Sequence, residues 1–184
     1  CSVVFANANT GEVLISAEEK GDKESINIDL ISTRAQYEPG SSLKIFSIGL
    51  ALEQGLLDEK TEYYVEDTIE LIENSCNRDF KGYKGCYKDF LKHEPYNLSV
   101  KEIIERSSNV GTIIATKDLN IKELEEFLSK FGFSKRTGIE LSGESKGSFD
   151  PNKTCTTCLS SLSIGYSINV TQMQMVKAYS IIAN

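Results

Sequence analysis

The 184-residue chain lacks several features that mark common classes of protein. No run of lysine or arginine stands out and the formal net charge is −7, so nucleic-acid binding has no electrostatic support. No apolar run approaches the roughly 20 residues that a membrane-spanning helix needs, and no signal peptide is present. Histidine occurs once, as His93 in KHEPY. We interpret it as a loop residue, because a catalytic triad would need serine and aspartate partners near it.

The chain also lacks an initiating methionine. It begins at Cys1 with a strand-like run directly behind it, and it ends in MVKAYSIIAN while a helical pattern is still running. We therefore expect a fragment of a longer protein, in which missing targeting signals carry no information about localisation. A mature lipoprotein would also begin with cysteine, but it would usually have a flexible linker before its first strand. With 40% hydrophobic and 26% charged residues, we expect 1–184 to form a single domain.

The five cysteines leave several interpretations open. Cys76 and Cys86 bracket a polar loop that contains glycine, which suits a disulfide in an oxidising compartment. Cys155 and Cys158 form a CxxC motif, which is compatible with a disulfide, free thiols, half of a zinc site or redox activity. A zinc site of four cysteines would require the two pairs to meet in space.

The first half of the chain has a mixed pattern. Apolar runs at 2–6 and 12–17 predict a β-hairpin, and the charged segment 18–30 predicts a loop. A helix is predicted from Ser41 to Gln54, and residues 57–98 should be irregular with short strands. The capping box Ser99-Val-Lys-Glu102 then predicts a short helix. The residues predicted to face inward on that helix are Val100, Ile103 and Ile104.

The second half is mainly helical. One helix should follow Ser107-Ser108-Asn109, and the apolar spacing of 124–131 predicts an amphipathic helix. Residues 138–147 should be rich in turns around one short strand, and Thr171 can cap a final helix. The residues predicted to share the apolar face of that helix are Met175, Ala178, Tyr179 and Ile182. Together the elements predict an α+β fold.

Ser41 and Lys44 carry the clearest chemical signal. Residues three apart are neighbours on a helix, and Ser41 would lie at the positive end of its helix, which favours a developing oxyanion. Lys44 precedes apolar side chains, so we expect its pKa to fall until the neutral amine can accept a proton from serine. This is the S-x-x-K arrangement of acyl-transferring serine enzymes. The plainer alternatives are that Ser41 only caps the helix and that Lys44 extends to solvent.

Several stretches, in the right order over nearly the whole chain, resemble the penicillin-binding proteins, especially the class B transpeptidases. YEPGSSLK resembles the signature Y/F-E-P-G-S-x-x-K. S-x-N occurs four times, at Ser25, Ser75, Ser107 and Ser167, but only Ser107 lies between two predicted helices. FGFSKRTGIELSGESKG (131–147) and SIGYSINVTQMQMVKAYSIIAN (163–184) resemble two further family stretches. In the latter, serine and glutamine replace a usual glycine and proline.

The resemblance implies roles for four residues. Ser41 is expected to be the nucleophile, and its backbone N–H half of the oxyanion hole. Lys44 is expected to be the general base, and Ser107 to shuttle a proton to the leaving amine. Asn109 is expected to hold the peptide amide of the substrate and to help position Lys44. The alternative for Ser107 and Asn109 is helix capping alone. The resemblance implies no cofactor and no metal.

The third family signature, K-[S/T]-G, is missing. Arg136-Thr137-Gly138 looks similar, but it comes too soon after Asn109 and lies inside another matched stretch. We expect the true signature beyond Asn184, on a strand that supplies a carboxylate-binding lysine and the second oxyanion donor. Loss of one such donor typically costs about 10²–10³ in rate. The 184-residue piece is therefore expected to be weakly active or inactive.

The resemblance implies a serine β-lactamase/penicillin-binding transpeptidase fold, with an antiparallel sheet flanked by helices and an all-helical part, truncated before its last strands. The expected activity is cross-linking of peptidoglycan stem peptides ending in D-Ala-D-Ala, with β-lactam antibiotics as ligands. The alternatives are a D,D-carboxypeptidase, a serine β-lactamase and a non-catalytic penicillin sensor. Divisome or elongation proteins are expected as partners, bound through parts of the protein that lie outside this piece. The expected location is the extracytoplasmic face of the bacterial membrane, with an N-terminal transmembrane anchor outside this piece.

Overall fold

A computed structural model of the chain describes residues 1–19, 31–77, 85–149 and 155–184. Its residues cluster into two compact units, which are described separately. The first unit comprises Cys1–Glu38, Glu125–Phe149 and Ile168–Asn184. The second unit comprises Pro39–Leu124 and Asp150–Ser167. The single domain expected over 1–184 stays a prediction.

The first unit begins with the predicted β-hairpin. Strand β1 (Ser2–Ala6) pairs antiparallel with β2 (Val13–Glu18), because alternating side chains suit a two-faced strand. The side chain of Asn7 accepts the backbone N–H of Asn9 in the connecting turn, and Gly11 adopts φ +74° there. The hairpin is therefore confirmed. Of the predicted loop 18–30, Glu18 belongs to β2, and residues 20–30 lie outside the described residues.

Helix α7 (Gln172–Ala183) organises the rest of the first unit, which also contains α1 (Ile31–Arg34). Thr171 and Gln174 form a capping box, so the predicted cap is confirmed. Gln174 is fully buried, and its amide donates to the carbonyls of Lys135 and Lys146 at 2.8 and 2.7 Å. Met175 and Ala178 are buried as predicted. Tyr179 and Ile182 are exposed, which contradicts the prediction for these two positions.

The strand predicted within 138–147 is wrong. The carboxylate of Glu144 accepts the backbone N–H groups of Thr137 and Gly138, at 2.7 and 3.2 Å, which holds this stretch in turns. The strand β7 (Ser148–Phe149) begins just after it and pairs with β8 (Ile168–Asn169). Arg136-Thr137-Gly138 thus lies outside any strand.

The second unit begins with a 3₁₀ turn, Gly40–Leu43, which leads into helix α2 (Lys44–Glu53). The predicted helix is therefore confirmed, but its first turn is tighter than an α-helix. The helix ends before Gly55, which has φ +69°. Its apolar side chains form the core of this unit with those of the helices described next. The fully or almost fully buried ones on α2 are Phe46, Ile48, Leu50 and Ala51.

Short antiparallel strand pairs and helices complete the second unit. The strand pairs are β3 (Glu62–Val65) with β6 (Tyr96–Ser99), and β4 (Thr68–Glu70) with β5 (Cys86–Lys88). The helices are α3 (Val100–Glu105), α4 (Asn109–Thr116) and α6 (Cys158–Ser163), while α5 (Ile121–Lys130) continues into the first unit. The capping box of α3 is confirmed. Val100 and Ile103 are buried, but Ile104 is 39% exposed, against the prediction.

Two disulfides resolve the alternatives for four cysteines. Cys76 pairs with Cys86, and Cys155 pairs with Cys158. Both pairs are disulfide-bonded, so their sulfur atoms do not form a four-cysteine zinc site. Cys1 is exposed and unpaired.

The strands form four separate two-stranded pairs in the part of the chain that the structure describes. All four pairs are antiparallel, and helices pack beside them in both units. None of the helices among the described residues is long and apolar enough to cross a bilayer.

Serine occupies three backbone positions that favour glycine among the described residues, at Ser107, Ser134 and Ser167. Ser134 has φ +59° and Ser167 has φ +63°. Ser167 is the position at which the resembling family stretch carries glycine. A Cβ in the left-handed region clashes with the backbone, at a cost of about 1–2 kcal/mol. The serines therefore keep the local backbone of these stretches at the expense of some stability.

We predict that Ser134→Gly raises the free energy of unfolding by up to about 1 kcal/mol, because glycine adopts positive φ without the Cβ clash. Ser129→Gly, in the regular helix α5, is the matched control and should lower it by about 0.5 kcal/mol. Urea denaturation of the natural full-length protein measures both. A loss of stability in the first variant would contradict the assigned strain.

Candidate active site

The 3₁₀ turn presents Ser41 at the surface of the second unit. Ser41 is exposed, and Gly40 before it has φ +57°. The geometry of a 3₁₀ turn places the side chains of residues three apart on the same side. The spacing of Ser41 and Lys44 therefore still makes them neighbours, as it would in an α-helix. Ser41 is not the capping residue of this turn or of α2, since their N-cap residues are Pro39 and Leu43. The plain capping role considered for Ser41 is therefore not observed.

Glycine-to-glycine packing fixes this turn. The N–H of Gly40 donates to the carbonyl of Gly165 at 3.0 Å. Gly165 has φ +87°, and a Cβ on it would lie 1.9 Å from the Gly40 carbonyl oxygen. Only glycine fits there, so the sequences EPGS and SIGY meet directly beside the proposed nucleophile.

Lys44 is the first residue of α2 and is only 2% exposed. Its Nζ donates to the carbonyl oxygen of Ser107 at 2.5 Å and lies 3.2 Å from the Ser107 hydroxyl. Burial lowers the pKa of Lys44 to about 8, and the negative charge of Asp89 opposes that shift. The alternative that Lys44 extends to solvent is therefore wrong.

Ser107 lies in the turn between α3 and α4 and has φ +54°. Its N–H donates to the carbonyl of Ile104 at 3.0 Å, which ties it to the end of α3. A left-handed serine costs about 1–3 kcal/mol and persists only where its surroundings impose it. This conformation aims both the carbonyl and the hydroxyl of one residue at the same ammonium group.

Asn109 is the first residue of α4, and its side-chain amide donates to the carbonyl of Lys88 at 2.8 Å. The hydrogen bonds of Lys44 Nζ to described residues involve Ser107 and not Asn109. The predicted help of Asn109 in positioning Lys44 is thus not visible as a direct bond. Its helix cap is Ser108, whose hydroxyl accepts the N–H of Gly111 at 2.8 Å.

A cleft of about 490 Å³ joins these residues, which is within the range of small-ligand sites. It brings together three of the four predicted site residues, and Lys44 lies buried behind Ser107. The residues that line it are Ser41, Lys88, Phe90, Arg106, Ser107, Asn109, Ile164 and Tyr166. A more apolar cavity of about 440 Å³ lies within the first unit and contains none of the predicted site residues.

Asp89 and His93 do not line this cleft, but they support the start of α4, and this role was not predicted from the sequence. Asp89 follows β5, and its carboxylate accepts hydrogen bonds from the start of α4. The imidazole Nε2 of His93 lies 3.1 Å from that carboxylate. His93 lies in a loop, as predicted. No local pattern could reveal the bonds of Asp89 to α4, because that helix begins 20 residues later.

The other S-x-N sequences are elsewhere. Ser75 lies beside the Cys76–Cys86 disulfide, and Ser167 is the last residue of the second unit, directly before β8 in the chain. Ser25 lies outside the described residues. The choice of Ser107 over these copies therefore agrees with its contact to Lys44.

Residues 1–184 match the family model described as penicillin binding protein transpeptidase domain. Penicillin-binding protein PbpB of Mycolicibacterium smegmatis is 28% identical over 192 residues, covering 100% of this chain and 28% of the relative. Peptidoglycan D,D-transpeptidase FtsI of Buchnera aphidicola subsp. Schizaphis graminum is 30% identical over 190 residues, which cover 98% of this chain and 31% of that relative. A crystal structure of penicillin-binding protein 3 from Mycobacterium tuberculosis, complexed with ampicillin, has a TM-score of 0.83 at 27% identity, covering 100% of this chain and 40% of that chain.

The chain therefore belongs to the penicillin-binding protein transpeptidase domain family. Its relatives are class B penicillin-binding proteins, as the resemblance implied, and the predicted fold class is confirmed. The chain spans less than a third of the length of these curated relatives.

We predict that Gly165→Ala slows labelling by a fluorescent penicillin at least about tenfold, because the new Cβ displaces Gly40 and with it Ser41. Gly138→Ala is the matched control, since Gly138 has the same φ of +87° but has open space around its Cβ position. It should label at nearly the rate of the unmodified protein. Equal labelling of the two variants would contradict the role given to the Gly40–Gly165 contact.

Proposed function

We propose that the protein is a serine-type peptidoglycan D,D-transpeptidase, which cross-links stem peptides ending in D-Ala-D-Ala through an acyl-enzyme on Ser41. The main support is the buried ammonium of Lys44, three residues after Ser41, in contact with the carbonyl and hydroxyl of Ser107. Relatives named peptidoglycan D,D-transpeptidase FtsI support the same reaction. β-Lactams are included as ligands, since structures of a related protein contain ampicillin and aztreonam.

Acylation uses Ser41 and Lys44. The neutral amine of Lys44 takes the proton of the Ser41 hydroxyl while Oγ bonds to the carbonyl carbon of the penultimate D-Ala. The carbonyl electron pair moves to oxygen, and the backbone N–H of Ser41 is one donor to this oxyanion. A lysine with a pKa of about 8 suits the task, because about a tenth of it is neutral at pH 7.

The leaving group departs through Ser107. The carbonyl re-forms, the bond to the terminal D-Ala nitrogen breaks, and the proton on Lys44 passes through the Ser107 hydroxyl to that nitrogen. The 3.2 Å separation of Nζ and Oγ suits such a transfer. An amine of a second stem peptide then attacks the ester carbon and loses a proton, and Ser41 is released as the hydroxyl. With a β-lactam, the leaving nitrogen stays attached through the opened ring.

Asn109 is proposed to hold the peptide amide of the bound stem. It lines the same cleft as Ser41 and Ser107, and its bond to the Lys88 carbonyl restrains its side chain. One amide can both donate to Lys88 and accept a hydrogen bond from a substrate N–H. This arrangement suits an extended peptide lying along the cleft.

The cellular setting is part of the proposal. Relatives named FtsI and stage V sporulation protein D support a role in division or sporulation. Divisome or elongation proteins are proposed as partners of parts of the protein outside residues 1–184. We place the protein at the extracytoplasmic face of the bacterial membrane. The disulfides Cys76–Cys86 and Cys155–Cys158 support that placement, because disulfides persist in oxidising compartments.

We predict a long-lived adduct on Ser41 when the natural full-length protein is incubated with labelled penicillin, and exchange of stem-peptide strands without penicillin. Mass spectrometry of tryptic peptides locates the adduct. Ser41→Ala should abolish it. Ser42→Ala, whose hydroxyl donates to the Pro39 carbonyl in the same turn, should retain it. Rapid penicillin turnover would favour a β-lactamase, and an adduct without strand exchange a sensor; either would contradict the proposal.

We also predict that the rate constant of acylation by penicillin rises about tenfold from pH 7 to pH 9, with a midpoint near 8. The folded-state pKa of Lys44 is lowered, so its neutral, proton-accepting form gains population as pH rises through about 8. Stopped-flow measurement with a chromogenic β-lactam gives the profile. A rate independent of pH over this range would argue against Lys44 as the base.

A further inference from the structure

Asp89 joins the end of β5 to the start of α4. Its Oδ1 accepts the backbone N–H groups of Asn109 and Val110 at 2.6 and 3.0 Å, and its Oδ2 accepts the hydroxyl of Ser108 at 2.8 Å. Together with the Ser108 hydroxyl on Gly111, these bonds satisfy the first N–H groups of α4. The side chain of Asp89 is 7% exposed, so the carboxylate acts from a largely buried position.

The residue held between α3 and α4 is Ser107. Its N–H and that of Ser108 donate to the carbonyls of Ile104 and Ile103, which fixes one side of the turn. Asp89 fixes the other side of this turn by accepting hydrogen bonds from Ser108, Asn109 and Val110. The left-handed conformation of Ser107, at φ +54°, is unfavourable for serine and needs both supports.

Asn109 is anchored twice to the same strand end. Its side-chain amide donates to the carbonyl of Lys88, and its backbone N–H donates to the carboxylate of Asp89. A displacement of Asp89 would therefore move both the contact of Ser107 with Lys44 and the amide that faces the cleft.

His93 holds the carboxylate from the far side. Its Nδ1 lies 2.9 Å from the Glu94 carbonyl, and its Nε2 lies 3.1 Å from the Asp89 carboxylate. Both neighbours can only accept, so both ring nitrogens donate when the ring is an imidazolium. The ring stacks on Tyr96 at 4.2 Å, with Arg106 over the Tyr96 ring. Burial lowers the pKa of His93, but these two hydrogen bonds and the charges of Asp89 and Asp67 outweigh it, so the pKa is raised.

We infer that Asp89 is a positioning residue of the active site, whose carboxylate holds the first turn of α4 so that the carbonyl and hydroxyl of Ser107 stay on Lys44. The inference rests on the proposed function, since it assigns a purpose to the contact between Lys44 and Ser107. Asp89 lies behind that turn, bonded to protein groups, and acts through Ser107 and Asn109.

The test compares Asp89→Asn with Asp118→Asn, an exposed acid just beyond the other end of α4. Acylation of the natural full-length protein by a chromogenic β-lactam is measured from pH 6.5 to 10. Asp89→Asn should lose about tenfold to a hundredfold in rate. Its midpoint should also move to lower pH, because the negative charge that raises the pKa of Lys44 is gone. The midpoint shift reports only the lost charge, whereas the loss of rate at the high-pH plateau, where Lys44 is neutral, reports the displacement of Ser107. Asp118→Asn should retain both the acylation rate and the midpoint of the unmodified protein.

An unchanged plateau rate in Asp89→Asn would overturn the inference, whatever its midpoint. Asp89→Glu keeps the charge but displaces the carboxylate by one methylene, so it should lose rate and keep the midpoint; an unchanged rate would likewise overturn the inference, even if Asp89→Asn fails to fold. Failure of the unmodified protein to acylate Ser41 would instead refute the proposed function, so the two failures are distinguishable.

Discussion

The second unit depends on how it accommodates one buried ammonium group. Desolvation of a charge is expensive unless polar groups meet it, and Lys44 is met by the carbonyl and hydroxyl of Ser107. The carbonyl stabilises the ammonium, while burial favours the neutral amine and lowers the pKa to about 8. The lysine is therefore held at a pKa at which it can exchange a proton near neutral pH.

Segments far apart in the chain converge to hold that lysine. Gly165 contacts Gly40 at the start of the 3₁₀ turn, and the hydroxyl of Ser47 in α2 donates to the carbonyl of Ser163 at 2.8 Å. Asp89 holds α4 from the opposite side. The short signatures recognised in the sequence therefore mark two kinds of contact. At Gly40 and Gly165 the backbones approach too closely for a Cβ atom, and at Lys44 and Ser107 a buried ammonium group meets its hydrogen-bond acceptors.

The features that could be predicted from the sequence depend on local patterns. The capping boxes at Ser99 and Thr171 are formed within four residues, and the Ser41–Lys44 spacing is a property of one turn. The features that could not be predicted depend on distant partners. The bonds from Gln174 to Lys135 and from Asn109 to Asp89 are examples. Apolar periodicity also does not say which side of a helix is covered, so Ile104, Tyr179 and Ile182 were assigned inward although they are exposed.

The central claim is that the Lys44 amine titrates near neutral pH because it is buried against Ser107. It can be tested directly by NMR, following the ¹³Cε and ¹⁵Nζ shifts of labelled lysine during a pH titration, with Lys44→Arg used to assign the signal. We predict one lysine with a pKa of about 8, absent from that variant. A Lys44 signal that titrates near the ordinary value of about 10.4 would contradict it.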